Sequence, residues 1–212
     1  MSGSRPNQIF ARIARRYDRI NTILTLGRER SWRRRAAADL PSGRIIDLGS
    51  GTGAYPEIFD GSDAVAVDPV MEMLRLNPLP NRVAAVGEGL PFAGGVFDGA
   101  FSAFVIRNLT SVEATLGELD RVLRPGSRAV VVDLTRPRGR LTRFLHRFGT
   151  AMVLPVVGLL FAGAPREYWY LHRSLDDLPP PEVMFATGPL HLERVTRMGL
   201  FGFVYAAVLI KP

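Results

Sequence analysis

Between residues 47 and 53 the chain reads Asp47-Leu-Gly-Ser-Gly-Thr-Gly53, and a second isolated acid, Asp68, follows 19 positions after Gly49. Glycines at this density let the backbone turn tightly and approach a bound molecule closely. An acid ending the next apolar run can accept hydrogen bonds from both hydroxyls of a ribose, so the pair suits a nucleoside. Two nucleoside chemistries compete for it. Gly49-x-Gly51-x-x-Ala54 fits the dinucleotide pattern, but a pyrophosphate wants bare amides at a helix end, and Asp47 beside it would repel it. S-adenosylmethionine carries no phosphate. Its sulfonium and ammonium would be drawn to the same carboxylate. The glycine loop by itself leaves a nicotinamide cofactor and a plain strand–turn–helix open as alternatives; the electrostatics favours the sulfonium.

These residues need a scaffold. Arg44-Ile-Ile-Asp-Leu48 after the turn Pro41-Ser42-Gly43 reads as a strand, and Ala64-Val-Ala-Val-Asp68 as a second. Residues 70–76 read as a helix stopped by Pro78, residues 82–86 as a third strand and 97–104 as a fourth. Ser111 is placed to cap a helix running to Leu123, with Arg121 and Arg124 at its negative end. Ala129-Val-Val-Val-Asp133 is apolar on both faces and so reads as a central strand. Two further strands lie between Leu192 and Ile210, turning near Met198-Gly199. Strands alternating with helices over 43–135 predict a mostly parallel sheet with right-handed crossovers, its ligands beyond the carboxyl ends of the strands.

The fold class expected is therefore α/β, Rossmann-like, with a mostly parallel seven-stranded sheet and an antiparallel C-terminal strand. One domain suffices for 212 residues. Its expected parts are a helical cap over 1–40, a cofactor-binding core over 43–135, a helical insertion over 136–187 and terminal strands over 188–212. The cap follows from Ile9, Ile13, Ile20, Ile23 and Leu24 at near-helical spacing, with Arg12, Arg15, Arg16 and Arg19 between them.

The bulk composition narrows the function. There is no cysteine, which removes disulfides and thiolate metal sites. His146, His172 and His191 show no zinc-like spacing, so no metal is expected. The net charge of +7 comes almost wholly from arginine, Lys211 being the only lysine. That skew is compositional, and no nucleic-acid partner is expected. The uncharged stretch 148–165 is interrupted by Pro155 and falls short of the roughly 20 residues of a membrane span. It reads as a buried or interfacial helix. Residues 1–7 lack the apolar core of a signal peptide, so a cytoplasmic protein is expected.

Beyond the core the chain resembles known families. Leu90-Pro91-Phe92 with Val96-Phe97-Asp98, and Leu119-Asp-Arg-Val-Leu-Arg-Pro-Gly126, are similar to the flanks of strand four in class I methyltransferases. Four further pieces resemble the ubiquinone/menaquinone biosynthesis C-methyltransferases (UbiE/MenG-like). They are residues 13–21 with Leu26-Gly27 and Trp32-Arg33; Ile106-Arg107-Asn108; Leu154-Pro155-Val-Val-Gly158; and Tyr168-Trp-Tyr170-Leu171-His-Arg-Ser174. The resemblance covers roughly residues 9–178. It implies S-adenosylmethionine held by Asp47, Gly49, Gly51, Thr52 and Gly53, by Asp68 at the ribose, and by Gly87 and Glu88 on the adenine side, with Ala103 facing the site.

The resemblance also implies a lipid quinol, demethylmenaquinol-like, as methyl acceptor. Arg107 would stabilise the phenolate that develops on the ring, with Asn108 and Tyr17 as further catalytic candidates. Arginine is too basic to be the proton acceptor; His146 and His172 qualify by type alone. Tyr168, Trp169 and Tyr170 could line an apolar pocket. Three positions depart from the family's habit: Val86 stands for Asp or Asn, Ala103 for Ser and Glu29 for His. They leave open another small aromatic or lipid acceptor, or a non-catalytic cofactor-binding subunit of a quinone-synthesis complex. A peripheral position on the inner face of an anionic membrane is expected from the arginines at 12, 15, 16, 19, 33, 34 and 35 and from the apolar stretch 148–164. A homodimer is left open.

Overall fold

The computed structural model describes residue 18 and residues 21–23, 25–157 and 178–212, and the statements below concern those residues. Helix α1 (Glu29–Ala37) leads into β1 (Arg44–Leu48), and the glycine loop after β1 runs into a 3-10 turn, Pro56–Phe59. Then come β2 (Asp63–Val67), the one-turn helix α2 (Met71–Leu74), β3 (Asn81–Val83), β4 (Phe97–Ala103) and a second 3-10 turn, Ile106–Asn108. The remaining elements are α3 (Val112–Val122), β5 (Leu123–Leu134), α4 (Arg140–Val157), α5 (Pro181–Met184), β6 (His191–Met198), the turn Leu200–Gly202 and β7 (Val204–Ile210).

The seven strands form one sheet in the order β3-β2-β1-β4-β5-β7-β6. Strands β1 to β5 pair in parallel, and β7 runs antiparallel to both neighbours, β5 and β6. The α/β sheet with an antiparallel C-terminal strand is the one expected. Chain order reverses between β1 and β4, which opens a crevice at their carboxyl ends. Both faces of the sheet are covered. Ile46, Val65, Val67, Val131 and Leu209 face one apolar cluster; Ile45, Phe101, Val130 and Val132 face the other.

Local chemistry explains the ends. Ser111 caps α3 as expected, its hydroxyl accepting from the Ala114 amide at 3.0 Å. Leu116, Leu119 and Val122 then form the helix's buried face. Arg121 donates to the carbonyls of Phe92 (2.7 Å) and Leu90 (2.9 Å), tying the helix to the loop before β4.

Three expectations need correction. The helix expected over 70–76 is a single turn, because the chain must swing towards Pro78 and the Asn77 carboxamide takes over the Leu79 amide (3.0 Å). The third strand ends at Val83 instead of Val86, since the chain then leaves the sheet and Ala85 and Val86 border the crevice. The helical insertion expected from residue 136 begins only at Arg140, where α4 starts; in its 148–165 stretch Phe148 and Met152 are exposed, which suits the interfacial alternative and not the buried one.

Candidate active site

The crevice is floored by the glycine loop, pinned to β2 where the amides of Gly49 (2.7 Å) and Ser50 (3.1 Å) donate to the Val67 carbonyl. Gly49, Gly51 and Gly53 all have positive φ, which costs glycine little and other residues more. Their surroundings separate their roles. A Cβ on Gly49 would stand 2.2 Å from Val105 Cγ2, and one on Gly53 2.5 Å from Asn77 Oδ1. These two glycines allow packing. A Cβ on Gly51 would meet nothing within 4 Å and would project into the crevice, so this glycine keeps space for a ligand.

Acids dominate the walls. Asp68 ends β2 with both carboxylate oxygens anchored, accepting from the amides of Gly51 (2.9 Å) and Val70 (2.8 Å). Burial pushes its pKa up, and those two amides pull it back. Asp47 makes no hydrogen bond to any described residue. Burial pushes its carboxyl up to about 7, against the pull of Arg33 and with further repulsion from Asp68. Thr52 donates to Asp18 at 2.7 Å, which fastens the segment before α1 to the glycine loop. Glu88 accepts from the amides of Thr110 (2.6 Å) and Ser111 (3.1 Å), and with Val86 and Gly87 it borders the far end of the crevice.

The wall opposite the glycines comes from α1 and the end of β4. Glu29 and Arg33, one helical turn apart, form a two-pronged ion pair at 2.7 and 2.9 Å. The Arg33 guanidinium lies over the rings of Phe104 (5.1 Å) and Tyr55 (5.7 Å). Arg33 was expected on the membrane-facing basic surface. Its position in the wall corrects that, because the buried Glu29 draws it inward. Phe104 holds φ +64°, a left-handed conformation unfavourable for a residue with a bulky side chain. That strain, beside Ala103, belongs to a chain forced to turn at the site.

Of the sequence-derived site residues, Asp47, Gly49, Gly51, Thr52, Gly53, Asp68, Gly87, Glu88, Ala103 and Asn108 all border the crevice. Arg107 does not. It points the other way, donating to Asp133 at 2.8 Å in a buried ion pair. Tyr17, His172 and the group Tyr168, Trp169 and Tyr170 lie outside the described residues. His146 stacks at 5.2 Å on Phe203, on the α1–α4 side of the sheet, and does not border the crevice. Asp18, which the sequence pairs with Tyr17 as a residue that could close over the cofactor, borders the crevice; Tyr55, Phe104 and the Glu29–Arg33 pair carried no such signal. Only the i, i+4 spacing of that pair was readable in advance.

The residues present fit S-adenosylmethionine. Among the described residues the crevice has five carboxylates and one arginine in its walls. The Asp47 carboxylate, largely buried and facing the crevice, accepts no hydrogen bond from a described residue, which suits a cation. Asp68 accepts at the end of β2, and Gly51 leaves the space above it open.

Comparison with known proteins agrees. A family model described as the ubiE/COQ5 methyltransferase family matches residues 2–78 and 80–187. A demethylmenaquinone methyltransferase of Roseiflexus sp. is 37% identical over 189 residues, covering 82% of this chain and 79% of the relative. That of Thermus thermophilus is 36% identical over 193 residues, covering 84% and 88%. A ubiquinone/menaquinone biosynthesis C-methyltransferase UbiE of Geotalea uraniireducens is 34% identical over 225 residues, covering 96% and 95%. Among solved structures, a possible histamine N-methyltransferase of Thermotoga maritima superposes with TM-score 0.64 at 18% identity, covering 97% of this chain and 99% of that one. At that identity the likeness concerns the fold.

Proposed function

The chain belongs to the ubiE/COQ5 methyltransferase family, and from this we propose that it transfers a methyl group from S-adenosylmethionine to a ring carbon of a demethylmenaquinol-like lipid quinol. The observation that carries the reading is the acid-walled crevice that runs to the Ile106–Asn108 turn, whose sequence resembles that of the quinone enzymes.

The cofactor supplies an electrophilic methyl group on a sulfonium sulfur. The protein must hold it and aim it. Asp47 offers a buried negative charge to its cationic end, Asp68 offers acceptors to its ribose, and Gly51 leaves the backbone bare beside it. Val86, an apolar residue where the family has an acid or amide, hands adenine recognition to the backbone of 86–88 and to Glu88. The acceptor ring carbon forms its new bond as the carbon–sulfur bond breaks, and it gives up its hydrogen as a proton. An acceptor held in line at near-attack distance gains most of what positioning can supply. Asn108 is the described catalytic candidate that borders the crevice. Incubating the pure protein with labelled S-adenosylmethionine and a panel of demethylated quinols is expected to label the quinol ring carbon. Label found on oxygen, or on none of the panel, would overturn the reading.

The same proposal puts the protein on the inner face of a membrane, where a lipid quinol resides. Helix α4 supports this. Leu141, Phe144, Phe148 and Met152 follow its helical repeat and are 71, 65, 61 and 59% exposed. The helix carries Arg140, Arg143 and Arg147 and no acid, as suits an apolar face lying among anionic headgroups. Phe203 packs against both Trp32 of α1 and His146 of α4, so exposed Arg34 and Arg35 of α1 lie on the same side of the sheet. Among the described residues no helix is long and apolar enough to cross a membrane. Flotation is expected to show binding to anionic vesicles that fades with salt, and little to neutral ones. Phe144→Glu with Phe148→Glu should abolish it. Equal binding to both vesicle types, or self-association through this face, would remove the membrane role.

A further inference from the structure

A line of polar side chains crosses the sheet beside the crevice and has no part in holding the cofactor. Asp133 of β5 pairs in register with Tyr205 of β7, which pairs with Arg197 of β6. Directly opposed residues share a face of the sheet, so the three side chains stand in a row. Arg107 closes one end by donating to Asp133 at 2.8 Å. Glu182 of α5 closes the other, accepting from Arg197 Nη2 (2.9 and 3.0 Å) and from Arg138 (2.6 Å). Asp133 and Tyr205 are completely buried.

The row has more donors left over than acceptors, the Tyr205 hydroxyl oxygen being the one acceptor among its unpartnered atoms. Arg107 Nε, Tyr205 Oη, Arg197 Nε and Arg197 Nη1 are buried without a hydrogen-bond partner. Both Asp133 oxygens are already engaged, by Arg107 and the amides of Ile106 and Leu134. Both Glu182 oxygens are engaged by the arginines. Three guanidinium groups face two carboxylates, so the row also carries an excess positive charge. Stranded buried donors are costly and rare in folded proteins. Several on one row, around a net positive charge, are complementary to an electron-rich or ionised oxygen.

The Arg107 end of the row lies next to the crevice. Asp133 is the penultimate residue of β5, and Arg107 sits in the turn after β4, at the carboxyl edge where open α/β sheets bind ligands. Asn108, the next residue, borders the cofactor crevice. The turn therefore has one side chain towards the methyl donor and its neighbour towards the row. Phe185, buried with its ring 6.4 Å from that of Tyr205, packs beside the row.

We propose that this row is the subsite for a ring oxygen of the hydroxyaromatic acceptor, with Tyr205 and Arg197 recognising that oxygen alongside Arg107. The assignment rests on the quinol reading above and adds two residues to it. Burial and the neighbouring Asp133 push the Tyr205 phenol well above its ordinary range, so at neutral pH it serves as a donor and not as a base.

Tyr205→Phe removes one oxygen and keeps the packing. A tyrosine that only fills space, with its hydroxyl unpartnered, would lose nothing by the change. The subsite predicts that kcat/KM for tail-less 1,4-dihydroxynaphthalene falls about 10- to 100-fold, the effect of one hydrogen bond to a charged group. Cofactor affinity and melting temperature should not fall. Arg197→Lys keeps a cation for Glu182 and gives up the spare donors, and a loss of similar size is expected. Titrating wild type and Tyr205→Phe with the same diol separates the two ideas. Wild type that binds the diol more tightly than the variant, yet does not methylate it, sinks the quinol reading and keeps the subsite. Equal kinetics and equal diol affinity in wild type and variant sink the subsite alone. No binding by wild type sinks both.

Discussion

Asp47→Asn is expected to weaken S-adenosylmethionine binding about 100-fold and, at pH 8, to raise the melting temperature of the cofactor-free protein. Both effects come from one buried carboxyl whose pKa in the fold is about 7 against an ordinary 3.8. An acid with a raised folded-state pKa binds more protons folded than unfolded. It therefore costs the fold nothing below pH 3.8, costs more as pH rises towards 7, and costs a constant amount above. Three units correspond to about 4 kcal/mol as an upper bound. Asparagine removes the charge but stays polar, so a gain of roughly 5 °C at pH 8 is the expectation. At pH 5 the folded carboxyl is neutral but the unfolded one is ionised, so the gain should be smaller than at pH 8, and only below pH 3.8 should the two proteins melt alike. Binding moves the other way. The cationic end of the cofactor needs the ionised form, so wild-type affinity should fall about tenfold per unit below pH 7, and the variant's should be flat. Calorimetric titration from pH 5 to 8 checks this, and a variant that binds like wild type would remove Asp47 from the cofactor site.

The second large effect is at Arg107. Arg107→Ala leaves the Asp133 carboxylate buried without its cation, and breaking such a pair costs about 3–5 kcal/mol. A fall in melting temperature on the order of 10 °C is expected at neutral pH, becoming smaller in acid as Asp133 takes up a proton. Turnover per folded molecule, measured well below the transition, should fall about 100-fold, as when one oxyanion donor is lost. Cofactor affinity should barely change, because Arg107 stands outside the crevice. Arg107→Lys should recover much of the stability and less of the rate, since a point charge cannot keep a bond to Asp133 and also offer the Nε donor. Wild-type turnover in folded Arg107→Ala would leave this arginine a structural partner of Asp133 and nothing more.

The core of this protein was legible because its signals are local. Parallel strands covered on both faces must be largely apolar, and Ile45, Ile46 and Leu48 of β1, and all of 64–67 and 129–132, are. Ser111 announces a helix by its own hydroxyl, and glycines followed by an acid at the end of the next strand announce a nucleoside site. The short elements were not legible in this way. Residues 70–76 have helical spacing, yet Asn77 and Pro78 end the helix after one turn, and residues 84–86 look like a strand but leave the sheet, Ala85 and Val86 to border the crevice.

Side-chain direction was the other thing only the tertiary structure decided. The sequence holds three equivalent-looking glycines, and their surroundings make two of them packing contacts with Val105 and Asn77 and the third open space. It also holds Arg33 and Arg107 with no sign of which way they point. Arg33 turns into the crevice because Glu29 is buried one turn before it. Arg107 turns away because Asp133 waits 26 residues later at the end of a neighbouring strand. Asp133 lies far along the chain from Arg197 and Tyr205, and none of the three carries a motif. Strand register alone puts them in one row, since pairing across a sheet joins residues by position and not by sequence distance. The amino-acid order thus determined the fold and the cofactor's chemistry, while the pairing of β5, β7 and β6 determined where unspent donors collect.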